Sequence, residues 1–175
     1  QLPIAADVNF IVTSDHGMTS ISNERTIPVM KHLKKEWIES VEGDLPGLIY
    51  VRKGFVDSVV FALHDVPHLK VWKREEVPAY LHYGSSPMIG DVVALPELGW
   101  LFTDNTVSSL GSHGFDPAYS DMHAMFRAVG PDFKQGYSKK LHFRNVDLYS
   151  LLSRLLGLTP AKNDGDINEV IDFLK

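Results

Sequence analysis

The amino-acid sequence predicts an α/β fold, in which a mainly parallel sheet with flanking helices carries a small α+β insertion. Three features support this prediction. Residues 8–13 form a continuous apolar run, which is typical of a strand buried on both faces of a parallel sheet. Residues 30–110 contain several short strand patterns and one short helical pattern. A leucine-rich helical segment near the end returns the chain to a layered α/β arrangement.

The insertion is predicted to contain two strands, a helix and two further strands. Residues 37–41 and 46–52 flank a Gly-Asp pair, which indicates a hairpin. Residues 56–63 carry apolar side chains at helical spacing. Residues 69–73 and 91–95 are predicted to be two further strands.

The last third of the chain is predicted to contain a strand and then a capped helix. The strand covers residues 124–129 and ends at a Gly-Pro pair. The helix covers residues 146–156, because leucines recur there on one helical face. Asn145 is a good N-cap residue, and Gly157 is a natural helix end.

Composition excludes several classes of function. The 175 residues carry a net charge of -5 without a basic patch, so nothing indicates a groove for nucleic acid. No apolar run reaches the roughly 18 residues that a membrane span needs. The chain has no cysteine, which excludes disulfides and thiolate chemistry.

Asp15 and His16 are the first candidate functional residues, since they follow the apolar run directly. In open α/β sheets ligands bind at the carboxyl ends of strands. Gly17 permits a turn that lets two neighbouring side chains face one ion, and a carboxylate with an imidazole suits zinc or another first-row divalent ion. The alternative is a plain loop in which Asp15 caps the next turn.

His113 is the second candidate, because it too lies beside a glycine, in "LGSHGFD". Five other histidines lie in loop or amphipathic context and are interpreted as structural. They are His32, His64, His68, His82 and His142.

Three blocks together make the sequence recognisable. They are "NFIVTSDHGM", then "GSHGFDPAYSDMHAMFRAVGPDF", then "NVDLYSLLSRLLGLTPAKNDGD". In order and spacing they resemble the nucleotide pyrophosphatase/phosphodiesterase family of the alkaline-phosphatase superfamily, and "GDVVALPELGWLF" resembles the family segment ahead of its glycine-flanked histidine. The resemblance covers nearly the whole chain, so residues 1–175 are expected to form the second half of such a catalytic domain.

The resemblance implies a two-zinc phosphodiesterase on an alkaline-phosphatase-like sheet. Asp15 and His16 match a pair that shares one zinc with an aspartate from early in the domain, and His113 matches a ligand of the other zinc. The expected substrates are small-molecule phosphodiesters or nucleotides. The family is usually exported, so a periplasmic or secreted protein is expected.

The nucleophile that the resemblance implies has no counterpart in this chain. The family uses a threonine that precedes the "SDHG" block, and only fourteen residues precede Asp15 here. A matching context is absent at five threonines: Thr13, Thr19, Thr26, Thr103 and Thr106. With three of six ligands and no nucleophile, the chain alone is expected to be inactive, and its open apolar face is expected to cause self-association.

Two alternative interpretations stay open at this point. One is a non-catalytic fragment or binding domain in which these residues only support folding. The other is a different hydrolase or mutase of the alkaline-phosphatase superfamily.

Overall fold

The computed structural model describes residues 3–175, which form two compact units. The first unit joins the described part of Gln1–Asp15 to Ala124–Lys175. The second unit is His16–His123. Within residues 3–175, no helix combines the length and the apolar character that crossing a bilayer requires.

The secondary structure of the described residues consists of short strands, three α-helices and several 3-10 turns. The strands are β1 (Phe10–Thr13), β2 (Thr19–Ser20), β3 (Thr26–Ile27), β4 (Ile38–Glu42), β5 (Gly47–Val51), β6 (Leu69–Lys73), β7 (Val92–Pro96), β8 (Leu101–Phe102), β9 (Gly111–Ser112) and β10 (Phe126–Val129). The α-helices are α1 (Val29–His32), α2 (Val56–His64) and α3 (Asp147–Leu155). The 3-10 turns are Ala5–Asp7, Lys35–Trp37, Arg74–Glu76, Ala79–Leu81, Ser120–Met122, Ile167–Glu169 and Ile171–Phe173.

The second unit is built around a four-stranded antiparallel sheet in the order β4-β5-β7-β6. β7 lies between two neighbours and is buried along its whole length, which explains its unbroken apolar sequence. The predicted hairpin, helix and two following strands are all confirmed, with bounds that differ by at most a few residues.

Helix α2 packs on one face of this sheet, and the main core of the second unit lies between them. Its Val59 and Leu63 are fully buried, because they lie four residues apart on the same helical face. They pack with Ile49 of β5 and Val92 of β7, both also fully buried. Removing a side chain such as Leu63 would cost about 2–5 kcal/mol of stability, the usual range for a buried leucine.

The first unit pairs β1 with β10 and packs α3 on the resulting ribbon. Its core centres on Phe133, Leu151 and Val170, with Ile11 of β1 packed against them. Helix α3 begins at Asp147 and ends at Leu155, close to the predicted helix. Gly157 follows with a positive φ of 65°, as predicted for a helix end.

The prediction for residues 8–13 is correct for the presence of a strand but wrong for its pairing and its burial. β1 covers only Phe10–Thr13 and pairs antiparallel with β10, and it is mostly exposed rather than buried on both faces. Ile11 faces the core of the first unit, whereas Phe10 is 61% exposed beside its cross-strand partner Val129, 62% exposed. The apolar sequence is typical of a covered strand, but within the described residues the outer face of this ribbon has no cover. Parallel pairing occurs between β3 and β8.

We predict that the outer face of the β1–β10 ribbon causes concentration-dependent self-association. Replacing Phe10 and Val129 together with serine removes the largest exposed apolar side chains of that face and should lower the association. Sedimentation velocity over a range of concentrations measures it. The control is Phe61→Ser, which removes an even more exposed aromatic side chain from α2 of the other unit. A wild-type chain that stays monomeric at high concentration would contradict the prediction.

Candidate functional site

Asp15 and His16 lie in the loop at the carboxyl end of β1, as predicted. The chain just before them is held by Met125. The backbone N–H of Ser14 donates to the carbonyl oxygen of Met125 at 3.2 Å, and the N–H of Met125 donates to Ser14 Oγ at 3.0 Å. The loop therefore leaves the strand at a fixed point.

Strand pairing in the second unit brings His16 and His113 together. Thr19 of β2 lies opposite Ser112 of β9, so the segments that carry the two histidines run side by side. Their imidazole rings are stacked, with centroids 3.6 Å apart and an angle of 16° between the ring planes. The structure thus joins the two histidines that the sequence singled out, although they are distant along the chain.

The orientation of the His16 ring is set by a contact with Gly17. Nδ1 of His16 lies 2.7 Å from the carbonyl oxygen of Gly17. Because a carbonyl oxygen only accepts hydrogen bonds, Nδ1 is the donor in this contact, which leaves Nε2 for other contacts. Metal-binding histidines are commonly oriented by such a bond from their second nitrogen.

Gly17 is required at its position by a close approach of the backbone. Its N–H donates to the carbonyl oxygen of Met122 at 3.0 Å. A Cβ atom here would lie 1.9 Å from the carbonyl oxygen of Asp121, far inside any allowed contact. Only glycine therefore lets the loop after Asp15 and His16 pack against the Ser120–Met122 turn.

The loop that carries His113 is anchored by Asp116, a buried carboxylate that sequence reasoning missed. Asp116 accepts hydrogen bonds from the Tyr80 hydroxyl at 2.6 Å and the Ala118 N–H at 3.0 Å, and Lys70 Nζ lies at 3.4 Å. Neighbouring Phe115 is buried in a small core with Met122. The sequence indicates the role of Asp116 only by its position three residues after His113, because the two side chains that contact it come from distant segments.

These contacts shift the pKa of Asp116. Burial opposes its ionisation, but hydrogen bonds from Tyr80, from the Ala118 N–H and from Lys70 outweigh burial, and the pKa of Asp116 lies below its usual value. The same hydrogen bond, together with burial, raises the pKa of the Tyr80 hydroxyl. The network therefore holds Asp116 as a carboxylate and Tyr80 as a donor at neutral pH.

Asn145 contacts the Asp15 loop, which corrects its predicted role. The N-cap position of α3 is Val146, which makes no side-chain capping bond. The side-chain amide of Asn145 instead donates to the backbone carbonyl oxygen of Asp15 at 3.1 Å.

Two of the histidines interpreted as structural have partners away from this loop. His64 pairs with its neighbour Asp65 at 2.9 Å on the surface. His68 pairs with Glu97 at 2.8 Å and stacks on Trp100 with ring centroids 4.0 Å apart.

Each of the three candidate side chains is of a type that binds zinc. Asp15 and His113 are exposed and His16 is half-buried. Carboxylate oxygen and imidazole nitrogen are ordinary zinc ligands. Within residues 3–175, no group of three or more His, Cys, Asp or Glu side chains is close enough to hold a metal ion by itself. Metal binding by these residues stays a prediction.

Comparison with known proteins shows the family. Residues 1–116 match the sequence model of type I phosphodiesterase / nucleotide pyrophosphatase. This match covers more than half of the chain, and the chain belongs to that family.

Individual relatives agree with this assignment. Human ectonucleotide pyrophosphatase/phosphodiesterase family member 5 is 38% identical over 170 residues, which cover 95% of this chain and 35% of the relative. The solved human ectonucleotide pyrophosphatase/phosphodiesterase 5 superposes with a TM-score of 0.90 at 36% identity, covering 98% of this chain and 46% of that one. An inactive form of the murine protein, solved in complex with AMP, gives a TM-score of 0.87 at 38% identity, covering 95% and 45%. The α/β fold class is therefore confirmed, and the chain spans less than half of these relatives.

We predict that Asp116 makes stability depend on pH in the acid range. A carboxyl whose pKa is lowered by folding contributes stability fully above its unfolded pKa of about 3.9, and the contribution is lost as pH falls through the folded pKa. Asp116→Asn should therefore lower the urea midpoint at pH 6, and the difference from wild type should shrink as pH falls below about 3.9.

The control for this experiment is Glu39→Gln, which neutralises an exposed carboxylate on β4. It should shift the midpoint little at either pH. Parallel pH curves for wild type and Asp116→Asn would show that the network does not favour the ionised carboxyl.

Proposed function

We propose that this chain is the second half of a two-zinc catalytic domain that hydrolyses phosphodiester or pyrophosphate bonds of nucleotides or related small molecules. The observation that carries the proposal is the stacking of His16 and His113 at 3.6 Å. The contact brings together candidate ligands of the two different ions, and the ions of two-metal hydrolytic sites lie only about 3.5–4 Å apart. Membership of the phosphodiesterase family supports the same chemistry.

Each candidate ligand has a role in this proposal. Asp15 and His16 hold one zinc together with a carboxylate from elsewhere in the domain. His113 contributes to the other zinc, and Asp116 fixes the loop that presents it. When bound, the two ions supply positive charge that activates an oxygen nucleophile and stabilises charge on the phosphoryl oxygens.

The nucleophile is a threonine supplied by sequence outside this chain. Its hydroxyl oxygen attacks phosphorus, the alcohol or nucleoside phosphate leaves, and water then cleaves the phosphothreonine. Since the chain spans 35% of human family member 5, this catalysis belongs to a longer protein. The AMP bound to the murine relative supports a nucleotide-type substrate.

Export from the cytoplasm, to the periplasm or the medium, is part of the same proposal. The "ecto" in the relative's name supports it. Cell fractionation of a tagged full-length protein, with a cytoplasmic enzyme as marker, tests it; recovery with the cytoplasmic marker would contradict it.

The zinc proposal is tested by replacing Asp15, His16 and His113 with alanine, singly. Asp15→Ala and His16→Ala should remove the weak zinc uptake at one ion and His113→Ala that at the other, each measured by competition with a chromophoric chelator. The urea midpoint should change little, because Asp15 and His113 are exposed. In the full-length enzyme Asp15→Ala should lower phosphodiester hydrolysis by several orders of magnitude.

The matched control is the double replacement of His64 and Asp65 with alanine. This exposed pair has the same two residue types next to each other on the surface, away from β2 and β9. Its loss should leave zinc uptake unchanged. If the three site variants also take up zinc like the wild type, the two-zinc proposal is wrong and a non-catalytic binding domain is favoured.

A further inference from the structure

The side chain of Asn145 is used for something other than helix capping. It lies just before α3, yet its amide reaches the Asp15 carbonyl oxygen, 130 positions away in sequence. The helix start is instead organised through main-chain bonds, in which the N–H of Leu148 donates to the carbonyl oxygen of Asn145 at 3.2 Å. A side-chain amide that bonds to a distant carbonyl oxygen, and not to the first turn of its own helix, indicates a role in tertiary structure.

Asn145 is held in place by a buried carboxylate. Asp147 is fully buried and accepts three hydrogen bonds: from the Arg144 N–H at 2.9 Å, from the Arg144 guanidinium at 3.1 Å and from the Asp166 N–H at 2.9 Å. Arg144 also donates to the carbonyl oxygen of Asp164 at 3.0 Å. The turn that contains Asn145 is thereby tied to a second segment, residues 164–166.

The second segment needs glycine in order to come this close. A Cβ atom on Gly165 would lie 2.2 Å from the carbonyl oxygen of Val146. The N–H of Gly165 donates to Asn163 Oδ1 at 2.8 Å, so the approach is fixed on both sides. This segment therefore contacts the residues on both sides of Asn145: Asp164 accepts a hydrogen bond from Arg144, and Gly165 lies against Val146.

The Asp15 loop is therefore anchored at two consecutive residues. The main chain of Ser14 is bound to Met125, as described above, and the carbonyl oxygen of Asp15 is bound to Asn145. With both anchors in place the peptide plane after Asp15 has a defined direction. The main chain of Asp15, which carries the candidate carboxylate, is thereby constrained.

We infer that Asn145 is a positioning residue that fixes the Asp15 loop for zinc binding, with Asp147 and Gly165 as its support. This inference rests on the proposed function, because it takes Asp15 as a zinc ligand. Partners in the outer shell of metal sites typically change metal affinity or activity 10–100-fold when they are removed. Asn145 acts here through the main chain of the ligand residue.

The test compares zinc affinities of the 175-residue chain and its variants by chelator competition, with the urea midpoint as a measure of folding. Asn145→Leu keeps the size of the side chain but has no donor, and should weaken zinc binding about tenfold or more at a nearly unchanged midpoint. Asn145→Gln keeps an amide donor and should recover part of the affinity. Asn105→Leu, at an exposed asparagine in the second unit, should bind zinc like the wild type.

Amide hydrogen exchange supplies a readout that needs no metal. Asn145→Leu should speed exchange in residues 13–16 without changing exchange in α3. Wild-type zinc affinity and wild-type exchange in Asn145→Leu would overturn the inference. Loss of zinc binding in Asp15→Ala together with normal binding in Asn145→Leu would also overturn it while leaving the proposed function intact. Unchanged zinc binding in Asp15→Ala refutes the proposed function directly.

Discussion

The candidate site depends on the pairing of β2 with β9. Each strand has only two residues, yet their register sets Thr19 opposite Ser112 and Ser20 opposite Gly111. The ladder is extended by the Ile21 N–H, which donates to the carbonyl oxygen of Leu110 at 3.2 Å. A slip of one residue would turn every side chain of a strand to the opposite face and separate the two histidines. Beneath the ladder, Ile21 contributes to the small buried core that also holds Phe115.

The inserted sheet is physically connected to this ladder rather than merely attached to the chain. Lys70 belongs to β6 and Tyr80 to a 3-10 turn that follows it, and both contact Asp116 in the loop of His113. A buried carboxylate that loses its partners is costly, by about 3–5 kcal/mol in measured cases. The geometry around His113 therefore depends on residues from a part of the fold that carries none of the candidate ligands.

Local patterns in the sequence predicted what local forces determine. The β6 strand was predicted at residues 69–73, where the structure places it, and the hairpin and both longer helices follow from spacing and turn residues. The sequence motifs indicated Asp15, His16 and His113 as candidate ligands, and the rings of the two histidines are stacked in the structure. What escaped prediction depends on distant contacts: the exposure and antiparallel pairing of β1, the partners of Asp116 and the use of Asn145. None of these leaves a periodic signal, because each joins residues that are far apart along the chain.

The long separation between β2 and β9 also has a consequence for folding kinetics. If β2 and β9 paired first, the whole chain between them would have to close as one loop, and the entropy cost of closure rises with loop length. Contacts between residues far apart in sequence also slow folding. Between the two strands lies the β4-β5-β7-β6 sheet, whose hairpin and helix α2 form from contacts that are local in sequence. Once that sheet has condensed, the effective length of the intervening chain is much shorter. We therefore expect the two histidines to meet late in folding, after the sheet that lies between them in sequence and holds neither.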